Sequence, residues 1–573
     1  MVVGRAFKGL LNVGRKLRAA PLGRHALVLI VVLACAFGFR VRQIHALSPY
    51  VGHVDEATWT AIAMKMRSTG DLNPRRFNYP SLPVYLMAAG VSVGLVRAEL
   101  EGEATGPQSF ERRVGEYYQV PSAIEVPKYL FALFSVIGLG LTGIVAYLLT
   151  RRPALLWLAP LIASLSARYL LLSWRYMNVD ILGATFVIAA IAYALWARTR
   201  HAAGGVLAHG ARHAVVLGVL AGLAVGSKYI LATVLVPSVL LFAFFERHFF
   251  RRAVIVGTVA VVTFFVTTPF ALLEPQPFLE DILSEARHYS RGHFTSRHEA
   301  KGFSENTVEP GLPMLGTYVS SLAATFGWLP LVVALGGAVV LVRRDARAAA
   351  IVYAHPVIFI AYMSLQRVFF ARNAIALHLF VAFSIAVALA DLPPLLAQFL
   401  ARRAPPRLTR WLAPASVASL GALVVLGIPW PAVAGAYSLD VEARSAATRW
   451  ILANVPPGTT VFADRALELD PRPLEEAYDV RMTTTRRLRD LDDRPRRHVV
   501  VTPGKHARDY DQALGRTRRA ARFVGPRQNV QILEPRATER TAKSKRSTTA
   551  RERRERLLRR EERRERRQRP KEG

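Results

Sequence analysis

The chain has 573 residues, 52% of them hydrophobic, with 75 Lys+Arg against 41 Asp+Glu and a formal net charge of +34. A mean hydropathy of +0.24 beside so many cations argues against a soluble globular domain and for a polytopic membrane protein with basic loops. The single cysteine, Cys35, excludes an intramolecular disulfide and a cysteine-based zinc site, and no nucleic acid is expected as a partner, because much of the charge sits in short clusters that orient spans at anionic lipid.

Residues 1–24 are basic (Arg5, Lys8, Arg15, Lys16, Arg18, Arg24) and precede the first apolar run, the pattern of a signal anchor with a cytoplasmic N-terminus. Runs long enough to cross a bilayer follow at roughly 26–44, 124–149, 154–172, 179–197, 213–226, 229–245, 252–272, 313–342, 349–364, 373–390 and 411–432. Walking through these eleven spans places every basic cluster inside: Arg151/Arg152, Arg198/Arg200, Arg247/Arg251/Arg252, Arg343/Arg344/Arg347 and Arg402/Arg403/Arg407/Arg410. A further run, 81–97, breaks that agreement if it spans, so it is expected to be re-entrant or juxtamembrane within a first external loop, 45–123. A second external loop covers 273–312. The walk leaves 436–535 outside, where "ATRWILANVPPGTTVFAD" reads as helix, turn and strand, and "HVVVTP" as a strand followed by a helical stretch. Residues 536–573 alternate charge at helical spacing, as a solvated helical or disordered tail does. The fold class expected is therefore an all-α polytopic membrane protein of about eleven transmembrane helices (residues 25–435), with a small α/β extracytoplasmic C-terminal domain and a charged tail.

Charged residues at membrane depth are costly, and their usual meaning is function. The same walk gathers several at the outer face: Asp55 and Glu56 after the first span, Arg175 and Asp180 in "SWRYMNVD", Lys228 in "GSKY", and Arg367 and Arg372 in "LQRVFFARNA". An acidic pair beside converging cations suits transfer from a lipid-linked phosphosugar, whose anionic head sits at the interface and whose tail lies in the bilayer. A carboxylate takes the acceptor hydroxyl's proton, and cations stabilise charge growing on the departing phosphate. Asp55 fits the first role, and Lys228 with Arg372 the second. The chain has no P-loop or Gly-rich dinucleotide signature, and this chemistry needs no nucleotide.

"HVDEATWTAIAMKMRSTGDLNP" followed by "YPSLPVYL" resembles the first external loop of the GT-C glycosyltransferases of the family 39 type, in which an Asp-Glu pair opens the loop and a Pro-rich turn follows. "SWRYMNVDILGATFVIAAIAYAL", "GLAVGSKYILATVLVP", "TTPFALLEPQPF" and "ATRWILANVPPGTTV" extend the resemblance over roughly 25–465. The resemblance implies a dolichyl- or undecaprenyl-type phosphosugar donor, inversion at the anomeric carbon, Asp55 as catalytic base and Glu56 as its support. It also implies that Tyr79 lines the site where relatives often carry His or Lys, a departure that bears on the acceptor and on any metal ligand.

His288, His293 and His298 recur every five residues, which matches no zinc spacing, and His288 and His293 read as loop residues near substrate entry. No cofactor is expected, a divalent metal being the one open possibility. The expected partners are the polyprenyl-phosphate sugar, the lipid bilayer, and an acceptor that is protein, lipid or polysaccharide. The expected setting is a bacterial plasma membrane with an extracytoplasmic active site. A polyprenyl-lipid flippase or transporter is the alternative, although no internal repeat of the kind such proteins show is visible.

Overall fold

The computed structural model describes residues 21–48, 50, 53–102, 120–204, 210–292, 306–402, 405–437, 443–464, 467, 469, 472–483, 498–503, 517–524 and 529–535. The N-terminal basic segment before residue 21, His293, His298, the helical stretch expected after "HVVVTP" and the tail 536–573 lie outside these residues. The chain divides into two compact units, Met1–Leu439 and Asp440–Gly573.

The first unit is an all-helical, multi-pass membrane architecture. Among the described residues, eight helices are long and apolar enough to cross a membrane, or up to eleven if each of three bent pairs counts as one span. The two central helices are Val179–Thr199 and Ala371–Ala401, with 78% of their most apolar stretch buried by other protein. The first helix, Leu22–Leu47, and Phe249–Thr267 have 6% and 11% buried, so their apolar faces are left for lipid.

Three of the expected single spans are bent pairs, and local chemistry places the breaks. Leu155–Ser164 and Ala167–Arg175 meet at 77°, where the Ser166 side chain accepts the Tyr169 amide and starts a new helix. Leu312–Phe326 and Trp328–Arg344 meet at 108° around Gly327, whose φ of 87° lies in the left-handed region. A Cβ at Gly327 would also collide with the Gly427 carbonyl, so glycine is required there twice over. Trp411–Gly427 and Trp430–Tyr437 meet at 66°. The run 229–245 is a 3₁₀ turn, Tyr229–Val234, leading into the helix Leu235–Phe245.

The run at 81–97 is one unbroken helix, Leu82–Leu100, preceded by Ser81 and carrying Pro83 in its first turn, where a missing N–H costs nothing. It is long and apolar enough to cross. Its start is tied to the ends of two other helices. The Ser81 amide donates to Thr268 Oγ1 at 3.2 Å, and the Leu82 Cβ lies 3.7 Å from where a Cβ would stand on Gly226. Its far end is tied to the start of Pro121–Thr150. Gly94 packs on the Ser122 carbonyl, leaving no room for a Cβ, and Arg97 pairs with Glu125 at 3.1 Å.

Basic clusters gather at one end of the bundle. Arg198 pairs with Asp345, Arg344 pairs with Asp391 and donates to the Leu149 carbonyl, and Arg152 lies 3.7 Å from Asp391. Asp180 and Arg198 are separated by about 27 Å along the helix Val179–Gly204, and Arg372 and Asp391 by a similar length along Ala371–Ala401. The polar residues described below therefore occupy the other end.

The second unit carries a five-stranded sheet of order β2-β1-β3-β5-β4, with β1 Thr460–Asp464, β2 Asp479–Thr483, β3 His498–Pro503, β4 Thr517–Val524 and β5 Asn529–Pro535. β1 pairs parallel with β2 and β3, and β5 pairs antiparallel with β3 and β4. The helix Ala443–Asn454 precedes β1 through a turn at Gly458, as "ATRWILANVPPGTTVFAD" predicts. Ala447 and Ile451 join Val461, Val501 and Ile532 in the unit's core.

Candidate active site

Asp55 is in the first turn of the helix Val54–Thr69, where a carboxylate is favoured by the exposed backbone amides. The cap is unusual: His53 Nδ1 accepts the Asp55 amide at 3.1 Å, and the imidazole stacks on Tyr176 at 4.4 Å and 17°. Accepting at Nδ1 puts the neutral ring's proton on Nε2. The 3.4 Å approach of Arg372 to Nε2 then sets donor against donor, and the arginine directs its proton to Asp55 Oδ2 at 2.8 Å. The same guanidinium donates to the Tyr79 hydroxyl at 3.3 Å and lies 4.8 Å from the Phe370 ring.

A second ion pair lies beside the first. Lys228 donates to Asp180 Oδ1 and, at 2.7 Å, to Asn373 Oδ1, while Asn373 donates to the Tyr289 hydroxyl at 3.0 Å. Asn178 caps the helix that begins at Val179, accepting the Asp180 amide at 2.7 Å and donating to the Tyr176 hydroxyl at 2.7 Å. Asp55, Asp180 and Arg372 line one pocket together with an aromatic and apolar wall of Trp59, Tyr79, Tyr176, Met177 and Val179.

Tyr79 is held there by a locked loop. Arg75 adopts φ 52°, stabilised by the Asn73 side chain on its amide and by an ion pair to Asp71 at 2.9 Å. Phe77 is fully buried; its amide donates to Asp281 at 2.6 Å and its carbonyl accepts from the Tyr229 hydroxyl at 2.9 Å. Burial raises the Tyr79 hydroxyl above the usual phenol range against the opposing Arg372 charge, so it remains a donor. Asp281 belongs to the amphipathic helix Pro275–Arg291, which also brings Tyr289 and Glu285 to the site. Burial raises the Glu285 carboxyl above its ordinary range, opposed by Lys228, by a hydrogen bond to Asn78, and by Arg372 and Arg76.

Of the residues singled out from sequence, Asp55, Tyr79, Asp180, Lys228 and Arg372 come together. Glu56 does not face the pocket: it is buried in an ion pair with Lys128 at 3.2 Å. Lys128 also donates to the carbonyls of Tyr50 and Arg175, at 3.3 and 3.4 Å. The Arg175 guanidinium lies 5.9 Å from the Trp174 ring and outside the pocket lining. Arg367 pairs with Glu309 at 3.4 Å, and its amide donates to the Tyr289 carbonyl at 2.8 Å. His288 stacks on Phe370 at 6.3 Å and 19°, one residue from Tyr289. Among the described residues no three His, Cys, Asp or Glu side chains gather as a metal site.

Sequence reasoning missed Lys128, Asn373, Tyr289 and the helix face carrying Asp281 and Glu285. A signal for the last existed: Phe278, Asp281, Glu285 and Tyr289 recur at helical spacing within the second external loop.

No family model and no curated protein matches the sequence. Among solved structures, ArnT from Cupriavidus metallidurans bound to undecaprenyl phosphate is similar over 90% of this chain and 98% of its own, at 14% identity and a TM-score of 0.49. The archaeal oligosaccharyltransferase AglB from Archaeoglobus fulgidus, in complex with an inhibitory peptide and a dolichol-phosphate, is similar over 77% of this chain and 62% of its own, at 13% identity and a TM-score of 0.45.

Proposed function

We propose that the protein is an integral membrane glycosyltransferase that moves a sugar from a polyprenyl-phosphate donor to an acceptor hydroxyl, with Asp55 as general base and inversion at the anomeric carbon. The site faces the extracytoplasmic side of a bacterial plasma membrane in this reading. The observation that carries it is the Arg372–Asp55 contact inside an aromatic pocket, at the end of the bundle opposite the basic clusters. Arg372 serves two partners in turn. With the pocket empty it neutralises Asp55; a donor phosphate competes for the guanidinium, for which two phosphate oxygens are a matched bidentate partner. Asp55 is then released to accept a proton. The acceptor oxygen bonds to the anomeric carbon as the bond from that carbon to the phosphate oxygen breaks, the hydroxyl proton passes to Asp55, and polyprenyl phosphate departs with its charge on Arg372.

The test is transfer from labelled polyprenyl phosphosugars in membranes containing the full chain. Asp55→Asn is expected to reduce turnover by at least about 10²-fold while polyprenyl-phosphate binding is kept or tightened, since Arg372 no longer has to leave a carboxylate. Retained turnover in that variant overturns the assignment.

A further inference from the structure

The Asp180 carboxylate has one oxygen bound and the other without a partner. Its side chain is 3% exposed, Oδ1 is taken by Lys228, and Oδ2 has no hydrogen-bond partner among the described residues. The carboxylate is held by Lys228, which is fixed in turn by Asn373. Buried charged oxygens without donors are rare, and each calls for an explanation. Asp180 lines the same pocket as Asp55, and two of that pocket's walls are the rings of Trp59 and Tyr79, 5.6 Å apart at 58°. A small polyhydroxylated ring has the surface for both: carbon-bound hydrogens against the aromatic faces and a donor for the lone oxygen. A phosphate has no donor to offer and would be repelled there.

We propose that Asp180 Oδ2 reads a donor group, a hydroxyl or an ammonium, on the sugar of the lipid-linked substrate, with Lys228 holding the carboxylate in place. This rests on the glycosyltransferase reading and deepens it. Arg372 then serves the phosphate, and Lys228 acts on the sugar through Asp180.

The experiment measures dissociation constants for the full chain in detergent, wild type against Asp180→Asn. The substitution keeps an oxygen for Lys228 and turns an NH₂ toward the pocket. The probes are polyprenyl phosphate without sugar and polyprenyl phosphates bearing a neutral hexose, a neutral pentose or an amino sugar. The expected result is unchanged binding of the bare lipid phosphate, with binding of the preferred sugar-lipid weakened about tenfold or more, since a site built for a hydrogen bond discriminates strongly when that bond is lost. Weakening confined to the amino sugar assigns an ammonium, and weakening confined to a neutral sugar assigns a hydroxyl. Equal weakening of the bare lipid phosphate overturns the proposal, as does no change for any sugar-lipid. A divalent-cation requirement for sugar-lipid binding that disappears in the variant also overturns it, and assigns Oδ2 to a metal. Monodeoxy donors with the wild type give a second arm that is independent of how the variant folds. With a neutral sugar preferred, loss of one particular hydroxyl is expected to cost about tenfold, and equal tolerance of every deoxygenation overturns the hydroxyl assignment; with an amino sugar preferred, its deamino analogue takes that place. Wild type that binds no polyprenyl phosphate refutes the glycosyltransferase reading and this proposal with it. Wild type that binds the bare lipid phosphate as tightly as every sugar-lipid refutes this proposal alone.

Discussion

Asp55 and Glu56 are neighbours in sequence, yet a helix turns about 100° between consecutive residues and sends them to different environments. Asp55 reaches the pocket and the Arg372 guanidinium, whereas Glu56 is buried against Lys128. The Glu56–Lys128 pair also gathers the Tyr50 and Arg175 carbonyls, so it fixes the start of the helix Val54–Thr69 to the helix Pro121–Thr150 and to the turn before Asp180. Removing one partner of a buried pair is expected to cost about 3–5 kcal/mol, because the other charge stays buried. Lys128→Met is therefore expected to lower the melting temperature in detergent sharply. Lys128→Met combined with Glu56→Leu is expected to recover most of that loss in the same thermal assay. A double variant no better than the single one would show that the pair matters for more than charge balance. The Asp-Glu motif is visible in sequence, but the division of labour within it is set by Lys128, a residue 72 positions away in the chain by its numbering.

At the scale of elements, the helix Pro275–Arg291 brings Asp281, Glu285 and Tyr289 to the site. Phe278 packs edge-on against Phe77 at 5.7 Å, Asp281 caps the Phe77 amide, and Tyr289 meets Asn373. Leu279 and Leu283, each 54% exposed, are left on the helix's outer side. Glu285 makes this docking sensitive to pH. Its folded-state carboxyl is raised, so its neutral form is the one the folded site favours. Its contribution to stability is fully present below the ordinary carboxylate range and is lost as pH rises through the raised value. Glu285→Gln is accordingly expected to match wild type in melting temperature near pH 4 and to exceed it increasingly toward neutrality. A constant difference across that range would show that the shift does not bear on stability. The helical spacing of these residues was legible in the loop, but which loop they would grip was not. That depends on Phe77 being buried, and nothing in "RRFNYPSLP" distinguishes it from an exposed phenylalanine.

At the scale of the molecule, the charge walk and the geometry describe the same polarity. Basic clusters from distant loops meet at one end, and the pocket lies at the other. The helix Leu82–Leu100 tests that polarity. Its start is tied to Thr268 and Gly226, and its far end to Ser122 and Glu125, all at helix ends that the walk places outside. We propose that it lies along the outer face despite having the length to cross. With the exposed Cys35 replaced by serine, single cysteines at Leu82, Val93 and Leu100 are expected to be labelled from the outside by a membrane-impermeant maleimide. Labelling of the Leu100 position only after the membrane is opened would make the helix a true span and invert every later loop.

The sequence by itself determined the class of architecture and which charged residues share an end of the bundle, because apolar length and the placement of Lys and Arg are local quantities that a bilayer reads directly. It also marked Asp55, Asp180, Lys228 and Arg372, since charge beside apolar runs is conspicuous without knowing any contact. Only the tertiary structure decided which charge meets which. Arg372 is paired with Asp55 and Lys228 with Asp180, Glu56 is withdrawn to Lys128, and the bends at Ser166 and Gly327 divide runs whose composition is continuous. Those outcomes depend on distances between helices far apart in the chain, and an ion pair's partner is chosen by packing that no local pattern encodes.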